Sequence, residues 1–114
     1  MKLPANGQLL RIFIGESDKH EGIALYEWLV IQAKEQGLAG ATVLRGLMGF
    51  GANSRIHTSK ILRLSLDLPI VVEIVDTPEN IKAFLDRVES VIKEGLVTLE
   101  KAGVQIYRGS QQDE

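Results

Sequence analysis

The junction at Asp76-Thr77-Pro78-Glu79 constrains this chain more than any other feature. Before it, Ile70 to Val75 is β-branched and apolar apart from Glu73, as a buried strand requires. After it, Ile81, Phe84, Leu85, Val88 and Ile92 fall on one helical face. Thr77 can accept the free N–H groups of a first turn, and the fixed φ of Pro78 suits the first helical position. A strand therefore passes into a helix with no linker, and Gly95 ends that helix.

The same succession stands earlier in the chain. Leu9 to Ile14 reads as a strand, closed by Gly15 and the polar loop Glu16-Ser17-Asp18-Lys19-His20. Glu21 to Gln36 reads as a helix, with Leu25, Leu29 and Ala33 on one stripe and Gly37 as its C-cap. Tyr26 and Trp28 sit at helical spacing and read as core or interface side chains. Ala41 to Met48 predicts the second strand. Ile61 to Asp67 alternates apolar and polar residues and predicts a strand that Pro69 bends or interrupts, at a bulge or edge. Val97 to Leu99 and Val104 to Tyr107 complete the series as a last strand or hairpin.

The order is strand, helix, strand, strand, helix, strand. With right-handed crossovers this is an α+β, ferredoxin-like βαββαβ sheet with two helices on one face. The other face stays bare, so the sequence predicts an oligomer that covers it. We divide the chain into an extension (1–8), one folded domain (9–108) and a polar tail (109–114). At 114 residues, one core is what the length allows.

Composition narrows the function. Thirteen basic and 15 acidic side chains leave a net charge of −2, so nothing favours a nucleic-acid backbone. Absence of cysteine excludes disulfides and thiolate metal sites. No apolar run approaches the roughly 20 residues of a membrane span, and Met1 to Gln8 has no signal-peptide pattern. The expected location is cytoplasmic, with no direct membrane insertion.

The chemistry concentrates in Arg45 to Lys60. This segment holds Arg45, Arg55 and Lys60, the hydroxyls of Ser54, Thr58 and Ser59, the imidazole of His57, and glycines 46, 49 and 51, with no acidic residue. Glycine-rich backbone can approach an anion, and arginine can hold phosphate through paired hydrogen bonds. Gly49 to Lys60 is expected to be a long exposed loop that takes a phosphate or nucleotide. The plainer reading is a turning loop whose glycines only permit its path. Two named motifs fail. Gly46 and Gly51 have P-loop spacing, but Ala52-Asn53 replaces Lys-Ser/Thr. Gly49 and Gly51 begin a dinucleotide fingerprint, but Ser54 replaces its last glycine. Asp18, His20 and Glu21 are neighbours with no remote fourth ligand, which reads as a solvated turn rather than a metal site. Ser54 with His57 lacks an orienting carboxylate for nucleophilic catalysis. Glu73 reads as an edge-exposed carboxylate.

Several stretches carry a family resemblance: Leu10-Arg-Ile-Phe-Ile-Gly-Glu-Ser-Asp18, Gly40-Ala-Thr-Val-Leu-Arg-Gly46, Gly49-Phe-Gly-Ala-Asn-Ser-Arg-Ile-His-Thr58, Leu68-Pro-Ile-Val-Val-Glu-Ile-Val-Asp76 and Glu94-Gly-Leu-Val-Thr98. They resemble the PII-like domain-of-unknown-function family, often encoded near CrcB-type fluoride channels. The resemblance implies a homotrimer. It implies adenine-nucleotide clefts between subunits at the base of the 49–60 loop, near Arg45 and Gly46, with a further contact near Gly95. It also implies a partner protein, such as a membrane channel or transporter, recognised by that loop. The tyrosine that PII proteins offer for uridylylation has no counterpart between Gly49 and Lys60. Lys93 to Val97 is shorter and less glycine-rich than the matching PII segment. The expected ligand is therefore AMP or another adenine nucleotide, with no obligatory cofactor and no catalysis. The expected site residues are Arg45, Gly46, Gly49, Gly51, Ser54, Arg55, His57, Thr58, Lys60 and Gly95. The competing expectation is an oligomeric interaction module with no small ligand.

Overall fold

Every second residue of the strand that precedes the Thr77 junction is buried. In β7 (Pro69–Asp76) these are Ile70, Val72, Ile74 and Asp76. In β1 (Asn6–Gly15) they are Leu10, Ile12 and Ile14, with Gly7 near the start. This period of two places one face of the sheet inside. A computed structural model describes residues 6–49 and 67–110, together with the backbone of His57 and Thr58.

The four long strands pair antiparallel in the order β4 (Thr42–Arg45), β7, β1, β8 (Leu96–Gly103). Helix α1 (Leu25–Glu35) joins β1 to β4, and α2 (Pro78–Val88) joins β7 to β8. Each connection passes over one intervening strand. This is the expected ferredoxin-like βαββαβ arrangement. Leu25, Leu29 and Ala33 of α1 and Ile81, Phe84 and Val88 of α2 close the core against the inner sheet face. Trp28 and Tyr26 pack partly buried at its margin. No helix among the described residues is long and apolar enough to cross a membrane.

The junction that organised the sequence behaves as its chemistry demands. Thr77 caps α2, its hydroxyl accepting the Asn80 N–H at 3.1 Å. Asp76 before it is fully buried. Its carboxylate accepts from the backbone N–H of Thr77 and Ala39, each at 2.7 Å, and from Asn80 Nδ2 at 2.9 Å. Burial of a carboxylate is tolerated where several donors meet it.

Six expectations change. Helix α1 starts at Leu25 rather than Glu21. Glu21 (φ 53°) and Gly22 (φ 83°) turn a small hairpin of β2 (Lys19–His20) and β3 (Ile23–Ala24), and left-handed backbone cannot continue a right-handed helix. The second strand stops at Arg45 rather than Met48. The Gly46 N–H then bonds the Pro69 carbonyl at 2.7 Å, and β5 (Met48–Gly49) pairs with β6 (His57–Thr58) instead. The 49–60 segment thus contains a ladder and is not a plain loop. Pro69 begins a central strand, where its missing N–H is tolerated at the first position. Glu73 is correspondingly on a central strand and not at an edge, with Arg11 beside it. The last strand is continuous from Leu96 to Gly103, and 104–107 is not strand. The expected strand over 61–67 lies, up to residue 66, outside the described residues.

Candidate functional site

Antiparallel register fixes what meets on the bare face. Residues opposite one another share a face. Thr42, Glu73, Arg11 and Thr98 form one row across all four strands, and Leu44, Val71, Phe13 and Leu96 form the next. The first row is polar and the second apolar. Leu44 is 47% exposed and Leu96 56%. Arg11 is central: its Nε donates to Glu73 Oε2 at 2.9 Å, and one terminal nitrogen lies 3.4 Å from Glu100 Oε2. The Glu73 hydrogen bond, reinforced by Glu100 and opposed by partial desolvation, raises the Arg11 guanidinium above its ordinary value.

At one end of these rows lies the root of the 49–60 segment. Arg45 points to Glu16 and forms an ion pair with it. The segment without acids therefore receives a carboxylate from a turn 29 residues earlier. Gly46 and Gly49 face the Pro69 ring, and a Cβ on them would meet its Cγ at 2.8 and 3.2 Å. Gly95 (φ 147°) lies over the Phe13 carbonyl, where a Cβ would fall at 2.4 Å. The adjoining turn is tied by backbone: Glu16 N–H to the Leu68 carbonyl, Ser17 N–H to Asp67 Oδ1 and Gly15 N–H to Asp18 Oδ2. Asp18 is thus part of this turn. His20 stacks edge-on to Trp28 at 4.5 Å, with Glu21 3.5 Å from its Nε2.

The fold brings Arg45, Gly46, Gly49 and Gly95 to this one end. Gly51, Ser54, Arg55 and Lys60 lie outside the described residues. Of His57 and Thr58 the backbone pairing with Gly49 and Met48 is described.

At the other end the bare face holds a cavity of about 700 Å³. Its floor is Leu9, Glu73 and Val75. One wall is Ala39 to Thr42, and the other is Ala102 to Tyr107. The Tyr107 hydroxyl donates to the Ala39 carbonyl at 2.6 Å, joining the two walls. The size is that of small-ligand sites, and the lining fits their pattern of apolar surface with a few polar groups. Leu9 and Val75 of the floor, with the apolar side chains of the walls, suit a flat ring system. Thr42, Glu73 and the 39–41 backbone offer donors and acceptors to its edge. Of the site residues expected from sequence that the structure describes, none lines this cavity. Two signals pointed to it: a carboxylate, Glu73, inside an apolar strand, and Gly40-Ala41-Thr42 leading into β4.

Comparison with known proteins places this arrangement. Solved structures share the fold, two of them as follows. A nitrogen regulatory PII-like protein, CPII from Thiomonas intermedia K12, bound to ADP, AMP and bicarbonate, superposes with a TM-score of 0.66 at 17% identity, covering 90% of each chain. The GlnK–ATP complex of B. subtilis superposes at 0.50 with 13% identity, covering 88% of this chain and 84% of that one. By sequence, a UPF0166 protein of Aquifex aeolicus is 44% identical over 97 residues, 85% of this chain and 91% of the relative. A UPF0166 protein of Methanocaldococcus jannaschii is 37% identical over 103 residues, 90% and 93% of the two chains. The family model DUF190, described as "Uncharacterized ACR", matches residues 7–104. With nearly its whole fold inside that match, this chain belongs to the DUF190 (UPF0166) family.

Proposed function

We propose that the chain is a non-catalytic, PII-like regulatory protein that binds an adenine nucleotide such as AMP between the subunits of a trimer. The observation that carries this reading is the cavity on the bare sheet face, between the Gly40–Thr42 wall and the C-terminal segment. Leu9 and Val75 of its floor receive the base, and Glu73 faces the base edge. Four residues along β7 separate Glu73 from Pro69, about 13 Å at strand spacing. Phosphates directed that way approach Arg45; the Gly46 N–H is held by the Pro69 carbonyl, so Gly46, Gly49 and Gly95 serve by letting the backbone come close. Arg55 and Lys60 complete the charge, and Gly51, Ser54, His57 and Thr58 belong to the segment that responds. The structural neighbour CPII, which was solved with ADP and AMP, supports the ligand class. The apolar row from Leu44 to Leu96 supports assembly, because it is left uncovered in one subunit.

For regulation, nucleotide must favour one state of the 49–60 segment over another. That segment then changes its contact with a partner protein, such as a channel or transporter. Calorimetry against AMP, ADP, ATP and cyclic dinucleotides tests the reading, with light scattering for the trimer. The expected result is binding of at least one adenine nucleotide, weakened in Arg45→Ala. No binding to the wild-type protein refutes it.

A second reading has its own support. Leu47 and Met48 are exposed at the root of the segment, as a protein-docking surface would have them. On this reading the chain is an interaction module with no small ligand. Partner capture that survives nucleotide removal and fails when residues 50–56 are deleted favours it.

A further inference from the structure

Ala39 is held twice. Its N–H donates to the buried Asp76 carboxylate at 2.7 Å. Its carbonyl accepts from the Tyr107 hydroxyl at 2.6 Å, across 68 residues of sequence. The two bonds differ in kind. Asp76 is a charged, fully buried acceptor shared with Thr77 and Asn80, and charge-assisted bonds of this sort are the strong ones. Tyr107 makes a neutral bond and is 44% exposed. When this connection gives, the Tyr107 side gives first.

What it holds is the strap, residues 104–107. The strap leaves β8 at one edge of the sheet and reaches Ala39, which precedes β4 at the other edge. It lies beyond the β1–β8 ladder and has no regular structure. Its Ile106 is 67% exposed. Val104 packs near Gly7, where a Cβ would come within 3.3 Å of its methyl. A segment that buries this little apolar surface opens at low cost. Yet it forms most of one wall of the cavity.

We propose that Tyr107 is a positioning residue: its hydroxyl latches the strap as a wall of the cavity, and a ligand in the cavity and the closed latch stabilise each other. The second half rests on the nucleotide reading above. The physical basis is linkage. A ligand that touches the closed wall must shift the latch toward closure, and a closed latch must raise affinity by the same factor. The strap's disorder is then a cost that the hydroxyl removes before binding.

Arg108 directly follows the strap and offers a tryptic site, and Lys101 inside β8 offers a reference. Brief digestion read by mass spectrometry compares wild type with Tyr107→Phe. Without ligand, cleavage after Arg108 is expected to be about five-fold faster in the variant, the factor one neutral hydrogen bond carries. The same lost bond lowers the melting temperature by a few degrees at most, and cleavage after Lys101 stays far slower than cleavage after Arg108 in both proteins. ADP at saturation is expected to slow Arg108 cleavage in both proteins, and because a mostly closed latch leaves little closed population to lose, ADP affinity falls by less than about two-fold in the variant. Equal ligand-free cleavage of the two proteins, normalised to their urea-unfolded forms, overturns the latch. Faster ligand-free cleavage in the variant, with no slowing of Arg108 cleavage by saturating ADP in wild type, overturns the coupling alone. If wild type binds no adenine nucleotide, the nucleotide reading and the coupling fall together, and the ligand-free digestion still decides the latch.

Discussion

The two ends of the sheet are built by different means. At the end carrying the 49–60 segment, backbone approaches backbone and ring. Gly46 and Gly49 lie under Pro69, and Gly95 lies over Phe13. At the strap end, a buried carboxylate gathers donors and a cavity stays open. Gly40 borders that cavity with nothing within 4 Å of where its Cβ would be. The contrast teaches how to read glycine. Gly46, Gly49 and Gly95, which drew attention in the sequence, sit in close packing. The glycine beside the cavity faces space.

Substitution breaks the comparison most severely at Asp76. Asp76→Ala orphans the Ala39 and Thr77 N–H groups and the Asn80 amide together. Lost charge-assisted bonds and unsatisfied buried donors cost about 3–5 kcal/mol, read as a fall in the denaturation midpoint with an unchanged slope. A loss below ~1 kcal/mol would show that water replaces the carboxylate and that Ala39 is not anchored.

Gly95→Ala strikes the opposite end. The added methyl meets the Phe13 carbonyl at 2.4 Å in a backbone region that L residues avoid. A destabilisation of about 2–4 kcal/mol is expected. Thermal melting checks it, and a neutral outcome would free Gly95 for a purely ligand-facing role. Thr77→Ala is milder, since it removes one cap bond to an exposed N–H. It is expected to cost about 1 kcal/mol and to leave Asp76 in place, which separates the cap from the anchor.

The sequence made some of this legible and hid the rest for physical reasons. Helix α2 and its Thr77 cap could be read because they depend on residues within one turn. The strands could be read from their apolar runs, and the order of elements then gave the sheet. The late start of α1 was hidden because Glu21 takes left-handed backbone, which its residue type does not announce. The Arg45–Glu16 pair was hidden because a stretch without acids says nothing about acids folded against it. The cavity was hidden most completely. Its surface comes from Leu9, residues 39–42, Glu73, Val75 and residues 102–107, and no local motif spans segments so far apart. Glu73 was noticed as an odd charge, but its neighbours appear only once the register is known.

The smallest stability effect carries the most information about the cavity. Gly40→Ala places a methyl in open space, at a residue whose φ lies outside the left-handed range. Removing the extra backbone freedom of glycine from the unfolded chain should stabilise the protein by about 0.5 kcal/mol. If the cavity is the nucleotide site, the same methyl reduces the room for the ligand, and ADP affinity falls while stability rises. Opposite signs from one substitution separate binding from folding, because a merely damaged protein loses both. If stability rises and ADP binds as tightly as before, the nucleotide does not use this wall. The glycine-packed end, with Arg45, then becomes the better place to look.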